Sequence, residues 1–222
     1  MRTVRIVLAT HNRGKVAEMR HMLEEQLSPR SNTRCDLVSA GDLGLPDPVE
    51  NGVTFEENAL LKARFVAQRT GLPGIADDSG LVVDVMGAAP GILSARWAGV
   101  HGDDAANRRL LLAQLKDIPT GKRMAHFECR AALVIPRGYD NAEAVEIVRS
   151  GKMTGHIAHA PRGLNGFGYD SIFVPDDQLN LSAAEDGRPL TCAELTAEQK
   201  NAISHRGKAM RALLEDIQAR LF

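Results

Sequence analysis

Two adjacent carboxylates are the residues of this chain best suited to bind a metal ion. They are Asp77 and Asp78, in the segment 76–80 (ADDSG) between the apolar runs 72–75 and 81–85. Adjacent carboxylates near a low-dielectric core repel each other, so a fold that holds them there usually supplies a cation. The segment therefore predicts a divalent-metal site over a phosphate. A solvated hairpin turn is the equal alternative, because Asp, Ser and Gly are ordinary turn residues.

Two predicted helix starts carry cations at the end where the helix dipole favours anions. Arg13 and Lys15 lie at the start of the first helix, and His205 and Arg206 at the start of the last. A bound anion would compensate for this arrangement. For any one of these residues, a side chain that points into water is the alternative, but two such starts in one chain favour a phosphate site.

The polar loop between the first strand and the first helix, Thr10 to Lys15, is a candidate triphosphate site. It lacks the glycine spacing of a P-loop or of a dinucleotide fingerprint. Its backbone N–H groups, the amide of Asn12 and the ammonium group of Lys15 could still hold phosphates.

A second loop, residues 163–170 (GLNGFGYD), sets three glycines around two aromatic residues in a chain with only 4% aromatics. Glycines let the backbone approach a flat ligand, on which Phe167 or Tyr169 could stack. A tight turn whose aromatics fill the core is the equal alternative. Asp170 could accept hydrogen bonds from the polar edge of a ring, or it could cap a turn.

Three further charged residues are candidates with ordinary alternatives. Glu50 is an acidic metal candidate. Lys62 lies within the second predicted helix, where a residue on a solvated helix face is a strong alternative. Arg96 precedes Trp97 and could be a stacked structural arginine.

The bulk composition excludes several classes of protein. A formal net charge of −1 with 25% charged residues provides no basic field for polymeric nucleic acid. The three cysteines are far apart and lack metal-ligand spacing, which argues against a disulfide framework and a zinc site and favours a reducing, cytoplasmic compartment. No secretory signal or membrane-spanning window is predicted.

Helical and β-like segments alternate along the chain, which favours an α/β or α+β fold. A capping-box pattern, Thr54 with Glu57, predicts a helix that ends at Gly71. The other predicted helices follow Lys15, cover 103–115 and begin at a cap on Ser204. The predicted strands are 4–9, two short strands within 75–85 around the acidic turn, a central strand at 124–135, and 145–148 and 171–174.

Taken in order, these segments resemble the inosine triphosphate pyrophosphatase family, whose members hydrolyse non-standard purine nucleoside triphosphates. The resemblance covers nearly the whole chain. It runs through 8–15 (LATHNRGK), 54–59 (TFEENA), 76–81 (ADDSGL), 90–96 (PGILSAR), 166–170 (GFGYD), 193–196 (AELT) and 204–207 (SHRG).

The resemblance implies an elongated α/β fold with two lobes around a long mixed β-sheet, flanking helices and a ligand cleft between the lobes. It implies one domain over residues 1–222 with no separable linker, a homodimer and a requirement for Mg²⁺. The implied reaction converts ITP, dITP or XTP to the monophosphate and pyrophosphate.

The resemblance also implies residue roles. Asp78 is the expected catalytic residue and a metal ligand, with Glu50 as the second acidic group on the metal. The expected substrate contacts are Thr10, His11, Asn12, Arg13, Gly14, Lys15, Lys62, Ser79, Arg96, Phe167, Gly168, Tyr169, Asp170, Lys200, His205 and Arg206. The loops 137–141 and 176–188 depart from the family pattern in length or position.

Two other functions fit parts of this pattern. A Maf-like nucleotide pyrophosphatase would act on pyrimidine or methylated nucleotides, and the acidic segment 77–80 and the ending 204–206 argue against it. A nucleotide-binding module without turnover would have little need for paired carboxylates beside a triphosphate.

Overall fold

The computed structural model describes residues 2–26, 33–141, 143–178 and 187–222 of the chain. The strands are β1 (Arg2–Leu8), β2 (Thr33–Ser39), β3 (Gly74–Val83), β4 (Met124–Ile135), β5 (Val145–Ile157) and β6 (Phe173–Pro175). The helices are α1 (Arg13–Gln26), α2 (Phe55–Thr70), α3 (Asp104–Gln114), α4 (Ala197–Ile203) and α5 (His205–Leu221). Several short 3₁₀ turns connect them.

The strands form a six-stranded sheet in the order β2-β1-β3-β4-β5-β6. Strand β1 pairs in parallel with β2, from Arg2 opposite Thr33 to Leu8 opposite Ser39, and with β3 at its carboxyl end. Strand β6 pairs antiparallel with β5. The sheet is therefore mixed, and with its flanking helices it confirms the predicted α/β class.

Several elements match their sequence signals. Helix α2 begins after Thr54, whose side chain accepts a hydrogen bond from the Glu57 N–H, and it ends at Gly71 in a left-handed conformation with φ 68°. Strand β4 covers the predicted residues and lies inside the sheet. Ser204 accepts a hydrogen bond from the Gly207 N–H at 2.9 Å, as expected of a cap for α5.

Other elements differ from the prediction. Strand β5 continues to Ile157 rather than ending at Val148, because the buried positions in its second half alternate with two glycines among them, at 151 and 155. Glycine hides the apolar alternation on which strand prediction depends. The sequence patterns also missed β2 and α4. Residues 179–186 of the predicted variable loop 176–188 lie outside the described residues.

The chain divides into two compact units, each made of separate stretches. The first comprises Met1–Asp78, Cys129–Ser150 and Lys208–Phe222, and the second comprises Ser79–Glu128 and Gly151–Gly207. The single domain expected over residues 1–222 stays a prediction. No helix in the described ranges combines the length and the apolar character that a membrane span requires.

The packing of α2 on β3 is the feature of the first unit that matters most for chemistry. Ala59, Ala63 and Ala67 form the buried face of α2 and share a cluster with Ala76 of β3. A Cβ at Gly74 would lie 2.5 Å from the Ala63 carbonyl oxygen, so the helix backbone lies directly on the strand. Small side chains on both elements allow this close approach.

The second unit is built around apolar residues of β3, α3, β4 and β5, such as Leu81, Leu111, Phe127 and Ile157. Arg123 lies among them with 1% of its surface exposed. Its guanidinium donates to the carbonyl oxygens of Leu115 at 2.7 Å, Ile157 at 2.9 Å and Ala158 at 2.9 Å. It thereby connects the end of α3 to the end of β5, and burial lowers its pKa.

We expect Arg123→Met to lower the free energy of unfolding by about 2–4 kcal/mol, because it leaves buried carbonyl groups without a donor. Urea denaturation measures this change. The exposed Arg109→Met is the matched control and should change stability by less than about 0.5 kcal/mol. Equal stabilities for the two variants would show that the Arg123 contacts add nothing.

Candidate functional site

The two carboxylates Asp77 and Asp78 lie inside a continuous strand, so the predicted hairpin between two short strands is wrong. Strand β3 runs without interruption from Gly74 to Val83. The turn-forming residue types misled the prediction because the flanking apolar residues pair with neighbouring strands. Successive side chains of a strand point to opposite faces, so the fold separates the two like charges.

Asp77 faces Lys15 at the start of α1. The Lys15 ammonium group donates to both carboxylate oxygens at 3.1 Å, and the Asp77 side chain is only 5% exposed. Lys15 is therefore neutralised by the protein, and its remaining donor capacity is available to a ligand.

Asp78 faces helix α2 on the other side. Lys62 donates to Asp78 Oδ1 at 2.9 Å and to Glu50 Oε1 at 2.9 Å, with 13% of its side chain exposed. The solvated helix face that was an alternative for Lys62 is therefore wrong. In what we call the acidic cluster (Glu50, Asp77 and Asp78), Lys15 therefore pairs with Asp77, and Lys62 is shared by Asp78 and Glu50.

A buried amide completes this arrangement. Asn58 has no exposed surface; its Nδ2 donates to Asp78 Oδ2 at 3.3 Å and its Oδ1 accepts from the Gly52 N–H at 2.9 Å. It thereby joins the segment that carries Glu50 to the strand that carries Asp78. The sequence reasoning missed Asn58, although a polar residue next to the alanine face of α2 was a possible signal.

The pKa values of the acidic cluster reflect both burial and the charges of neighbouring groups. Burial raises the pKa of Asp78, and Glu50 adds to this rise; together they outweigh the charge and hydrogen bond of Lys62. Burial alone would lower the pKa of Lys62, but the carboxylates around it raise the pKa overall. Both raised pKa values mean that Asp78 and Lys62 hold their protons more tightly than exposed groups do. A site of this kind also favours other cations.

The donor set of the cluster suits a hard divalent cation. Mg²⁺ takes oxygen ligands, and proteins usually bind it through one or two carboxylates together with substrate phosphates. Glu50 and Asp78 supply two carboxylates, both of which pair with Lys62. Over the described ranges, no group of three or more His, Cys, Asp or Glu residues is arranged to hold a metal ion. The residues present therefore fit an ion that shares its coordination with a substrate.

The loop between β1 and α1 already satisfies part of its own backbone. Asn12 Oδ1 accepts from the N–H groups of Gly14 at 2.8 Å and Lys15 at 3.3 Å, and Thr10 Oγ1 accepts from the Asn12 N–H at 3.1 Å. His11 is held through both ring nitrogens, by Asp47 and by the Leu45 carbonyl oxygen. A phosphate that used the Gly14 and Lys15 N–H groups would have to displace Asn12. The side chain of Arg13 lies outside the described part.

In the second unit, the glycine loop 163–170 shows both predicted arrangements, because one aromatic residue fills the core and the other is exposed. Tyr169 is 4% exposed and donates to the Ser94 carbonyl oxygen at 2.9 Å, so it is part of the core, and burial raises its pKa. Phe167 is 63% exposed. The loop borders a cavity of about 470 Å³, within the range of roughly 300–1,000 Å³ typical of small-molecule sites.

Asp170 and Lys200 stabilise this loop. Asp170 Oδ2 accepts from the Phe167 N–H at 2.9 Å and from the Lys200 ammonium group at 2.5 Å. The Lys200 nitrogen also lies 4.8 Å from the centre of the Phe167 ring, a cation–π distance. The structure therefore places three predicted substrate contacts, Phe167, Asp170 and Lys200, in one group.

The remaining candidates have separate surroundings. The His205 ring stacks on Phe127 with centroids 4.9 Å apart and planes 11° apart. Arg206 is half-buried in the first turn of α5, and Ser79 is half-buried in β3. Arg96 ends a short 3₁₀ helix; the cation–π pairs of the described residues involve phenylalanines 65 and 167, not Trp97.

The fold and these contacts define an α/β protein with a carboxylate–lysine cluster suited to phosphate chemistry. Within that class, the chain belongs to the Ham1 family, whose model matches residues 6–216. This match and the relatives below confirm the family resemblance that the sequence indicated.

Named relatives and solved structures match over nearly the whole chain. A dITP/XTP pyrophosphatase of Bifidobacterium animalis subsp. lactis is 58% identical, over 96% of both chains. The structure of a nucleoside-triphosphatase / dITP/XTP pyrophosphatase from Mycobacterium abscessus is 47% identical with a TM-score of 0.74, covering 96% of this chain and 100% of that one. A HAM1 protein structure from Coxiella burnetii is 38% identical with a TM-score of 0.80, covering 97% and 99%.

The hydrogen-bonded carboxylate of Glu194 predicts a pH dependence of stability. Hydrogen bonds from Arg188, and then from the Thr191 backbone, lower the pKa of Glu194 to about 2. A depressed carboxyl pKa contributes stability above about pH 4.5, and this contribution is lost as pH falls toward 2. We expect Glu194→Gln to lose about 1–2 kcal/mol at neutral pH, discounted for partial solvation of the pair.

Unfolding free energies between pH 7 and pH 3 test this expectation. The deficit of Glu194→Gln should shrink steadily below about pH 4.5, whereas the exposed Glu24→Gln should show no such trend. A deficit that is independent of pH would contradict the role given to the carboxylate charge.

Proposed function

We propose that this chain is a nucleoside triphosphate pyrophosphatase that hydrolyses the non-standard purine nucleotides ITP, dITP and XTP to the monophosphate and pyrophosphate. The observation that carries the proposal is the acidic cluster, in which Asp78 and Glu50 share Lys62 and retain an excess of negative charge. Membership of the Ham1 family and the relatives named dITP/XTP pyrophosphatase support the substrate class.

The metal assigned to the cluster is Mg²⁺, held by Asp78 and Glu50. When bound, a divalent cation neutralises charge on the phosphate oxygens and so lowers the barrier to displacement. Lys62 then keeps the two carboxylates together, and Asn58 holds the Glu50 segment and Asp78 in register.

Asp78 is the general base in the proposed reaction. A water oxygen attacks the α-phosphorus, its proton passes to the Asp78 carboxylate, and the bond from the α-phosphorus to the bridging oxygen breaks. Lys62 and Asn58 hold the Asp78 carboxylate in a fixed position for this proton transfer. Lys15, oriented by Asp77, stabilises negative charge on the departing pyrophosphate.

The glycine loop is proposed as the part of the chain that takes the base. The exposed Phe167 ring offers a stacking face, and because Lys200 lies over one face, the base would use the other. The N–H groups of Phe167 and Gly168 already donate to Asp170 and Asp104, and we assign the donor to the purine O6 to a side chain. Lys200, His205 and Arg206 are the assigned side chains.

Discrimination against adenine follows from this chemistry. A donor that meets the adenine 6-amino group instead of a 6-oxo group stays unpaired, which costs about 1–3 kcal/mol.

The enzyme is further proposed to act as a homodimer in the cytoplasm, on the basis of the family resemblance and the composition.

Asp78→Asn should lower turnover of ITP by about 10²–10⁴-fold, because it removes both the proton acceptor and a metal ligand. Pyrophosphate release in the presence of Mg²⁺ measures this loss. The exposed Asp117→Asn is the control and should retain activity. Near-normal turnover of Asp78→Asn would mean that another residue carries the chemistry.

A substrate panel of ITP, dITP, XTP, ATP, dUTP and dTTP tests the proposed specificity. We expect kcat/KM for ITP and XTP to exceed that for ATP by at least about tenfold, and activity to disappear when EDTA removes the metal. A preference for dUTP or dTTP would support the Maf-like alternative. Tight ITP binding without pyrophosphate release would support a binding module.

A further inference from the structure

Helix α3 holds both backbone polar groups of one residue in the glycine loop, Gly168. Asp104 Oδ2 accepts from the Gly168 N–H at 2.7 Å, and Arg108 Nη1 donates to the Gly168 carbonyl oxygen at 2.6 Å. The two side chains are four residues apart and so share one face of the helix. In the sequence this spacing is typical of an ordinary exposed ion pair on a helix and gives no signal of a contact with the loop.

The backbone conformation of Gly168 explains why these hydrogen bonds matter. Gly168 has φ +59°, a left-handed conformation that glycine adopts without strain, and Gly166 beside it has φ +75°. A loop with several glycines loses much backbone entropy when it is ordered. Charge-assisted hydrogen bonds to both backbone polar groups of Gly168 oppose that loss.

Helix α3 can serve as a fixed support because it has other anchors. Asp103 caps it by accepting from the Ala106 N–H at 2.9 Å. The buried Asn107 accepts from the Ala98 N–H at 2.7 Å, and Leu111 has no exposed surface. Loss of the contacts to Gly168 would therefore leave the helix in place and affect the loop.

We propose that Asp104 and Arg108 are positioning residues for base recognition. They fix the two peptide groups that flank Gly168 and thereby preorganise Phe167 on one side of it and Asp170, with its partner Lys200, on the other. This inference rests on the proposed function, in which the glycine loop takes the purine base.

The role predicts a defect that depends on the base. ITP and ATP carry the same triphosphate, so an unspecific structural fault would reduce hydrolysis of both to the same degree. Recognition of the polar edge by the Asp170–Lys200 pair benefits only the matching base. A loosened loop therefore lowers the preference for ITP.

The experiment compares Arg108→Met, which keeps the apolar stem and removes the donors, with Arg108→Lys, which restores one donor. For Arg108→Met we expect kcat/KM with ITP to fall about tenfold, mainly through KM, and with ATP less than about threefold. Arg108→Lys should recover at least about half of the loss on a logarithmic scale. The neighbouring, exposed Arg109→Met is the matched control and should match the wild type for both nucleotides.

A second variant and a thermal measurement guard against misfolding. Asp104→Asn keeps an acceptor for the Gly168 N–H without its charge, so the preference for ITP should fall by about threefold. Thermal midpoints of all variants should stay close to that of the wild type. Equal losses for ITP and ATP, or an unchanged preference in well-folded variants, would overturn the positioning role. A wild type that does not prefer ITP would instead refute the proposed function.

Discussion

The site depends on one constraint: two like charges adjacent in sequence must both be buried near the sheet. Strand β3 meets it by sending Asp77 and Asp78 to opposite faces, where each finds a lysine from a different helix. Helix α1 is thereby joined to one face and helix α2 to the other. Because Glu50 also uses Lys62, one lysine serves two carboxylates on the α2 face. This uneven sharing is the basis on which we assign a cation to the site.

Sequence patterns predicted the parts of this molecule that depend on local signals. The left-handed end of α2 at Gly71 and the central strand β4 follow from turn chemistry and apolar runs. The continuity of β3 could not be predicted in the same way, because pairing with neighbouring strands outweighs the turn preference of Asp, Ser and Gly. Likewise Lys62 resembles any exposed helix lysine until the fold buries it against two carboxylates. Tertiary contacts decide both cases.

In each unit, a polar side chain uses its hydrogen bonds to restrain an irregular segment. In the first, Asn58 uses both ends of its amide to relate a loop to a strand. In the second, Asp170 accepts from a loop backbone and from Lys200. Each is a buried or nearly buried polar side chain that restrains an irregular segment. Irregular segments can present functional groups, and these side chains limit how far those groups move.

The alanine face of α2 has a consequence beyond core packing. Because methyl groups separate the helix from β3, and Gly74 has no side chain, the thickness of this layer sets how far Lys62 stands from Asp78. The layer works as a spacer whose width is the van der Waals size of alanine. One added methylene at Ala63 would leave every charged residue unchanged and still move the ammonium group away from its carboxylates. Charge balance in this site is therefore partly encoded in the volumes of residues that carry no charge.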